Sequence, residues 1–457
     1  MKTERGKVWI WSGERVPQFG QILGSGKFGP HMKGGCLEMD RENKPWQTKN
    51  WFVSPWNYLK EVTEGFAPPA KIIFHDNTIR DGEQQAGLMF RKEEKILIAE
   101  KLAEAGIHRI EAGTPAVSPH DEAAIREIVK RKLGPKIVCL SRCMEEDIRR
   151  AADCGVDGVN LSIPGSKLLL ELGYGWTVDK GVEVAIKGTK LAHELGLYII
   201  FAAVDGTRAD FDWYTNLIKR IATEGHIDSL CLMDTVGSLT PEAVGYSVRT
   251  LLHRIGKPIE AHFHQDFGLS VANSIKAVLC GAEVIQSTVN GIGERCGNTP
   301  MEETALALRT LYGIDTGIKY EKLREVAKLV EQITKVPMIP NRGVVGDRAY
   351  YVESGMVFEE YRNIAAKGGV DLAKVGLFPV HHAFVGNKEP QAVLGKKSGR
   401  GTIIWWAEKL GIDLTEDEVT AVLTAVKEKA YEKKGELNAT EYREIVEVVT
   451  TKRFQNR

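Results

Sequence analysis

The segment AHFHQDFG (residues 261–268) carries His262 and His264 on either side of a single Phe. On a strand, residues i and i+2 share a face, whereas on a helix the two rings would diverge. Neutral imidazole is the commonest metal ligand. The pair therefore points to a metal, provided other ligands come from elsewhere in the chain. For any single His the plainer reading is a ring that is locally hydrogen-bonded or solvated; two on one strand face shift the balance toward a metal. A second stretch, DNTIRDGEQQAG (76–87), sets Arg80 beside Asp81. On a surface that is an ion pair of little worth; at the mouth of a barrel strand the carboxylate could join the histidines. Three N/O ligands with open positions suit a divalent ion that binds substrate directly. The Gly-rich NGIGERCGNTPMEE (290–303) adds Asn298 as a possible oxygen ligand.

These residues need a scaffold that gathers distant segments. Apolar runs at 71–78, 107–115, 136–141, 158–164, 197–205, 228–235, 259–266 and 283–291 read as strands. Amphipathic helical segments such as RKEEKILIAEKLAEAG and SPHDEAAIREIVKRKLG lie between them. Eight β-then-α units over about 250 residues fit an α/β fold of the (β/α)8 TIM-barrel type. An open doubly wound sheet is the alternative, but it usually begins with a Gly-rich turn after the first strand, and DNTIRDGEQ is not one. Polar residues close each run: Glu111, Ser141, Arg142, Asn160, Ser162, Asp205, Asp234, Thr235 and Asn290 among them. In a barrel such ends meet at one face, where catalysis sits. Ser118 and Asp210 are read instead as helix N-caps. The expected organisation is a Trp-rich N-terminal arm (1–69), a barrel (70–318) and a mostly helical C-terminal accessory region (319–457). The arm holds Trp9, Trp11, Trp46, Trp51 and Trp56, which is too aromatic for a disordered tail. GSGKFG at 24–29 fails as a phosphate loop, since Gln21 and Phe28 stand where Gly and Ser or Thr are needed.

Composition excludes several classes. The 457 residues hold 61 Lys+Arg and 61 Asp+Glu, so no basic excess suggests a nucleic-acid or membrane-surface partner. No run approaches 18 apolar residues, the length of a transmembrane helix. The N-terminus lacks the apolar core of a signal peptide. Seven cysteines, mostly in apolar runs, read as reduced thiols in a cytoplasmic protein.

Six stretches in order resemble one known family: DNTIRDGEQQAG, IEAGTP (110–115), DTVG (234–237), HFHQDFGLSVANS (262–274), NGIGERCGN (290–298) and VLGKKSGR (393–400). They are similar to the metal-dependent acyl-CoA condensing TIM barrels, which include isopropylmalate, homocitrate, citramalate and Re-type citrate synthases. The resemblance covers roughly residues 70–402. It implies that Asp81, His262 and His264 hold a divalent ion (Mn2+ or Mg2+, with Zn2+ or Co2+ as alternatives), with Asn298 close by or ligating. It implies catalytic roles for Arg80, facing the substrate carbonyl, and for Glu111, near the acetyl group. Thr235 would bind the carboxylate of a 2-oxo acid, with Gln84 and Ser162 completing the substrate pocket. Acetyl-CoA would be the co-substrate and the protein a homodimer. A lyase cleaving a hydroxyacyl-CoA is a further alternative.

The chain departs from the family pattern at three places. Val352 and Val357 stand where the family carries histidines, which leaves the catalytic base open. Nearby His381 and His382 are read as a solvated loop pair. Cys296 replaces the Ala usual in GERAGN and is read as small packing rather than a nucleophile. On substrate, Ile200 stands where homocitrate synthases carry an Arg, and the chain after the barrel is short for a leucine-sensing domain. The arm reading into VSPWNYLKEV resembles Re-type citrate synthases. Oxaloacetate is therefore the expected 2-oxo acid, with isopropylmalate, citramalate or homocitrate synthesis as alternatives.

Overall fold

A computed structural model describes residues 44–455. GSGKFG, Trp9, Trp11 and Cys36 lie outside the described residues. Eight parallel strands close into a barrel in sequence order: β1 (Ile73–Asp76), β2 (Arg109–Glu111), β3 (Lys136–Arg142), β4 (Gly158–Pro164), β5 (Tyr198–Val204), β6 (Ser229–Asp234), β7 (Ile259–Phe263) and β8 (Val284–Ser287). Closure comes from β1 pairing with β8, with His75 opposite Gln286. Each strand falls inside one of the eight apolar runs, except that β3 overruns its own by one residue, and helices such as Lys92–Glu104 and Pro119–Arg131 follow. The chain is thus a TIM barrel, as its β/α alternation leads one to expect.

Alternation along the strands divides two environments. Phe74, Ile110, Phe201 and Phe263 are buried in the main hydrophobic core. His75, Arg109, Glu111, Glu260, His262 and Gln286 occupy the alternate positions and are also buried. Buried polar groups need partners, and this second set finds them largely in one another. Ser118 and Asp210 are N-caps as expected, accepting from the amides of Asp121 and Trp213.

Residues 44–69 pack against the rest of the described chain. Trp51 is buried, lies 5.6 Å from the Phe384 ring and carries the Arg309 guanidinium over its face. The Tyr58 hydroxyl donates to the Thr310 carbonyl at 2.8 Å. Trp56, by contrast, is 74% exposed. After the barrel come helices Leu323–Thr334, Gly355–Gly368, Val370–Leu377, Arg400–Leu410, Glu416–Lys433 and Ala439–Gln455. The last three enclose a separate core around Leu394, Ile403, Val422, Val426 and Tyr442. No helix among the described residues is long and apolar enough to cross a membrane.

Candidate active site at the barrel mouth

Asp81 follows β1 through the turn Asn77–Arg80 and opens a short 3-10 helix, Gly82–Gln84. His262 stands on β7 and His264 one residue beyond its end. His264 is bridged there to Asn298, in the Gly-rich loop after β8. One ligand atom from each of Asp81, His262 and His264 lies within 4.8 Å of the others, and all three residues are buried. His262 Nε2 is 3.3 Å from Asp81 Oδ2 and 3.3 Å from His264 Nε2.

The donor set fits a divalent cation. Burial, above all, holds the His262 imidazole down at about 3, Asp81 only partly offsetting it. Burial lowers His264 as well. Both rings are therefore neutral near pH 7, the form that binds metal. Burial pushes Asp81 upward, but the Arg80 guanidinium and the two imidazoles outweigh it and hold the carboxyl below its ordinary value. The Asn298 Oδ1 is buried with no hydrogen-bond partner, so an oxygen donor is also left open.

Arg80 is clamped beside this set. Its Nε pairs with Glu111, its Nη1 lies 3.3 Å from Asp81 Oδ2 and donates to Gln84 Oε1 at 3.1 Å. Its Nη2 is buried and unpartnered. Glu111, at the end of β2, also accepts from Asn77 Nδ2 and from Asn160 Nδ2, each at 3.0 Å. With three donors on its carboxylate, Glu111 holds the guanidinium in place. Thr235, just past β6, accepts from the Asp205 amide at 2.8 Å, which leaves its hydroxyl hydrogen free to donate. Ser162 lies on β4 between Arg142 and Ala202, half-buried. Gln84 is exposed on the rim.

Other polar strand ends serve the loops. Asp234 accepts from the Leu239 amide and the Thr207 hydroxyl, and Asn290 donates to the Ala327 carbonyl. Two expectations are corrected. Cys296 is exposed rather than packed, because left-handed Arg295 and Gly297 on either side of it carry it over the rim. His381 and His382 are not a solvated pair. His382 is buried and His381 half-buried, because their segment is pinned by the Trp51–Val380 bridge and by Phe384 stacked on Tyr320. Val352 pairs with Ala392 and Val357 lies in the helix Gly355–Gly368.

Sequence reasoning missed Asn77 and Gln286. Asn77 sits inside DNTIRDGEQQAG, and Gln286 is a lone amide directly after the apolar pair Val284 and Ile285. Its register opposite both His75 and His262 exists only in the closed barrel and has no signal in the sequence.

A parallel barrel with a buried carboxylate, two neutral imidazoles and a clamped guanidinium at the carboxyl ends of its strands defines a barrel enzyme that acts at that mouth. The HMGL-like family model matches residues 71–330, and the chain belongs to that family. It is 37% identical to the homocitrate synthase AksA of Methanopyrus kandleri over 81% of this chain and 90% of that protein. It is 36% identical to the (R)-citramalate synthase CimA of Methanocaldococcus jannaschii over 77% of this chain and 70% of that one. Among solved structures, the HMG-CoA lyase of Bacillus subtilis shares the fold, with a TM-score of 0.53 at 23% identity, covering 59% of this chain and 96% of that one. With such relatives the chain is an acyltransferase of the 2-oxo acid condensing type.

Proposed function

We propose that this enzyme condenses acetyl-CoA with oxaloacetate and water to give citrate and CoA. The observation that carries the choice is a contrast in the barrel interior. Ile200 on β5 is buried among Val138, Ala202 and Cys231, so no cation there can hold the distal carboxylate of 2-oxoglutarate. Arg80, by contrast, is a buried cation with an open donor, Nη2, beside the metal-ligand set. A four-carbon dicarboxylate is short enough to keep both carboxylates near that set. The same apolar patch favours a second reading, in which the branched chain of 2-oxoisovalerate or the methyl of pyruvate sits against it. The lyase alternative draws no support from the relatives.

When bound, a divalent ion held by Asp81, His262 and His264, with Asn298 alongside, would supply Lewis acidity to the ketone of the 2-oxo acid. The protein's own residues bind and orient the 2-oxo acid. Thr235 donates its free hydroxyl hydrogen to the substrate carboxylate. Arg80 Nη2 points a fixed donor at the oxygen that gains charge as the ketone is attacked. Glu111 keeps that guanidinium from turning toward solvent. Gln84 steadies it from the rim, and Ser162 borders the pocket. In this reading the enzyme works as a cytoplasmic homodimer.

The test is release of free thiol from acetyl-CoA with Mn2+ or Mg2+ and oxaloacetate, pyruvate, 2-oxoisovalerate or 2-oxoglutarate in turn. Release with oxaloacetate is expected. Release only with 2-oxoisovalerate would sink the citrate reading. Cleavage of a hydroxyacyl-CoA without any condensation would sink the synthase reading.

A further inference from the structure

Gln286 has one carbonyl end and one amino end, and its neighbours accept it only one way round. Glu260, the second residue of β7, accepts the Ser229 hydroxyl on Oε1 at 2.7 Å and the Arg109 guanidinium on Oε2. An ionised carboxylate can only accept. Gln286 lies 2.9 Å from the same Oε2, so its NH2 must face Glu260. Its carbonyl then faces the other way. There His262 Nδ1 lies 3.0 Å away and Asn77 Nδ2 3.3 Å away. A carbonyl also only accepts, so His262 must carry its proton on Nδ1 and its lone pair on Nε2. Nε2 is the nitrogen that faces Asp81.

We propose that Glu260 and Gln286 act as an orienting relay, fixing the Nδ1–H tautomer of His262 and keeping Nε2 open for a divalent cation. The relay rests on the reading of His262 as a ligand. Neither residue reaches the cation or the substrate, so both are positioning residues. Such outer partners set ring orientation and raise the basicity of a ligating imidazole. The relay also reaches Arg80. Asn77 donates to both the Gln286 carbonyl and Glu111, the carboxylate that holds the guanidinium. The metal ligand and the guanidinium are thus set by one buried hydrogen-bond path.

The tautomer is read directly from the ring nitrogen shifts of metal-free, 15N-histidine-labelled full-length protein. His262 is assigned by the signals lost in His262→Gln. A protonated Nδ1 with an unprotonated Nε2 is expected, and the reverse would overturn the relay. Gln286→Met removes both ends of the amide at nearly constant shape. It is expected to weaken Mn2+ binding, measured by calorimetry, about ten- to hundredfold, and to abolish the single-tautomer signature while unfolding stays cooperative. Unchanged Mn2+ affinity in a folded Gln286→Met protein would also overturn the relay. If that variant does not fold, the wild-type spectrum decides alone. A His264→Ala control separates the two layers. If it loses Mn2+ affinity while Gln286→Met does not, only the relay fails; if it keeps full affinity, the ligand reading fails beneath it.

Discussion

Asp81 and His262, 181 residues apart in sequence, meet with carboxylate Oδ2 3.3 Å from imidazole Nε2. Each comes from the carboxyl end of a barrel strand or the turn after it, and neither is solvated. Two groups so placed at the mouth of a barrel are the foundation of the site.

Removing one imidazole tests that foundation. His264→Ala is expected to abolish turnover and to weaken Mn2+ binding by more than the roughly ten- to hundredfold that loss of an outer partner costs. Calorimetric titration with Mn2+ checks it, and undiminished affinity refutes the assignment of His264 as a ligand. Chelator treatment of the wild type should stop thiol release, with added Mn2+ or Mg2+ restoring it.

The clamp on Arg80 makes a second prediction. Glu111→Gln keeps the shape but leaves the buried guanidinium without its carboxylate. Breaking one side of a buried pair costs about 3–5 kcal/mol. A misdirected charge donor lowers kcat about a hundredfold or more. Thermal unfolding and steady-state thiol release measure the two effects. A variant with wild-type kcat would remove Glu111 from the machinery.

Stability should fall as pH rises toward 8. Burial above all, with Glu303 beside it, pushes the Glu302 carboxyl up to about 8. Its unfolded value is near the ordinary carboxylate range, so between those two pH values the folded state holds the extra proton. Stability then declines with rising pH by at most about 1.4 kcal/mol per unit, and levels off above the folded value. Glu302→Gln keeps an acceptor for the Asn290 amide. It should flatten this slope and raise the melting temperature at pH 9 relative to wild type. Asp76, pushed by burial to about 7, adds a slope of the same sign and similar size that ends near pH 7 and persists in that variant, so the two proteins differ most cleanly between pH 7 and 8. An unaltered pH profile in Glu302→Gln would count against this account.

The loop that brings Asn298 to the site depends on Gly297. Its φ of 93° suits glycine, and a methyl group there would fall on the Gly291 carbonyl oxygen. Gly297→Ala should therefore displace Asn298, at a backbone cost of about 1–3 kcal/mol, and lower both the melting temperature and Mn2+ affinity. A fully active, equally stable variant would show that the loop is free to shift.

Much of this was legible in the chain. Eight apolar runs of strand length, spaced by amphipathic helices, lead to a barrel, because alternation and period are local properties of sequence. The same periodicity puts His262 and His264 at one strand end. Ser118 and Asp210 declare themselves as caps because a cap is settled within four residues. The environments of Cys296 and of His381 and His382 differ from what the sequence leads one to expect. Their exposure depends on how left-handed residues and a distant Trp51 turn the chain, and neither effect has a local signature.

The sequence by itself determined the barrel, the order of its strands and which carboxylate and histidines stand at their ends. Only the tertiary structure decided what holds them. The Glu111 grip on Arg80, and the facing of Gln286 between Glu260 and His262, join strands that are far apart in the chain. A hydrogen bond forms by proximity and direction, and those exist only once the barrel has closed.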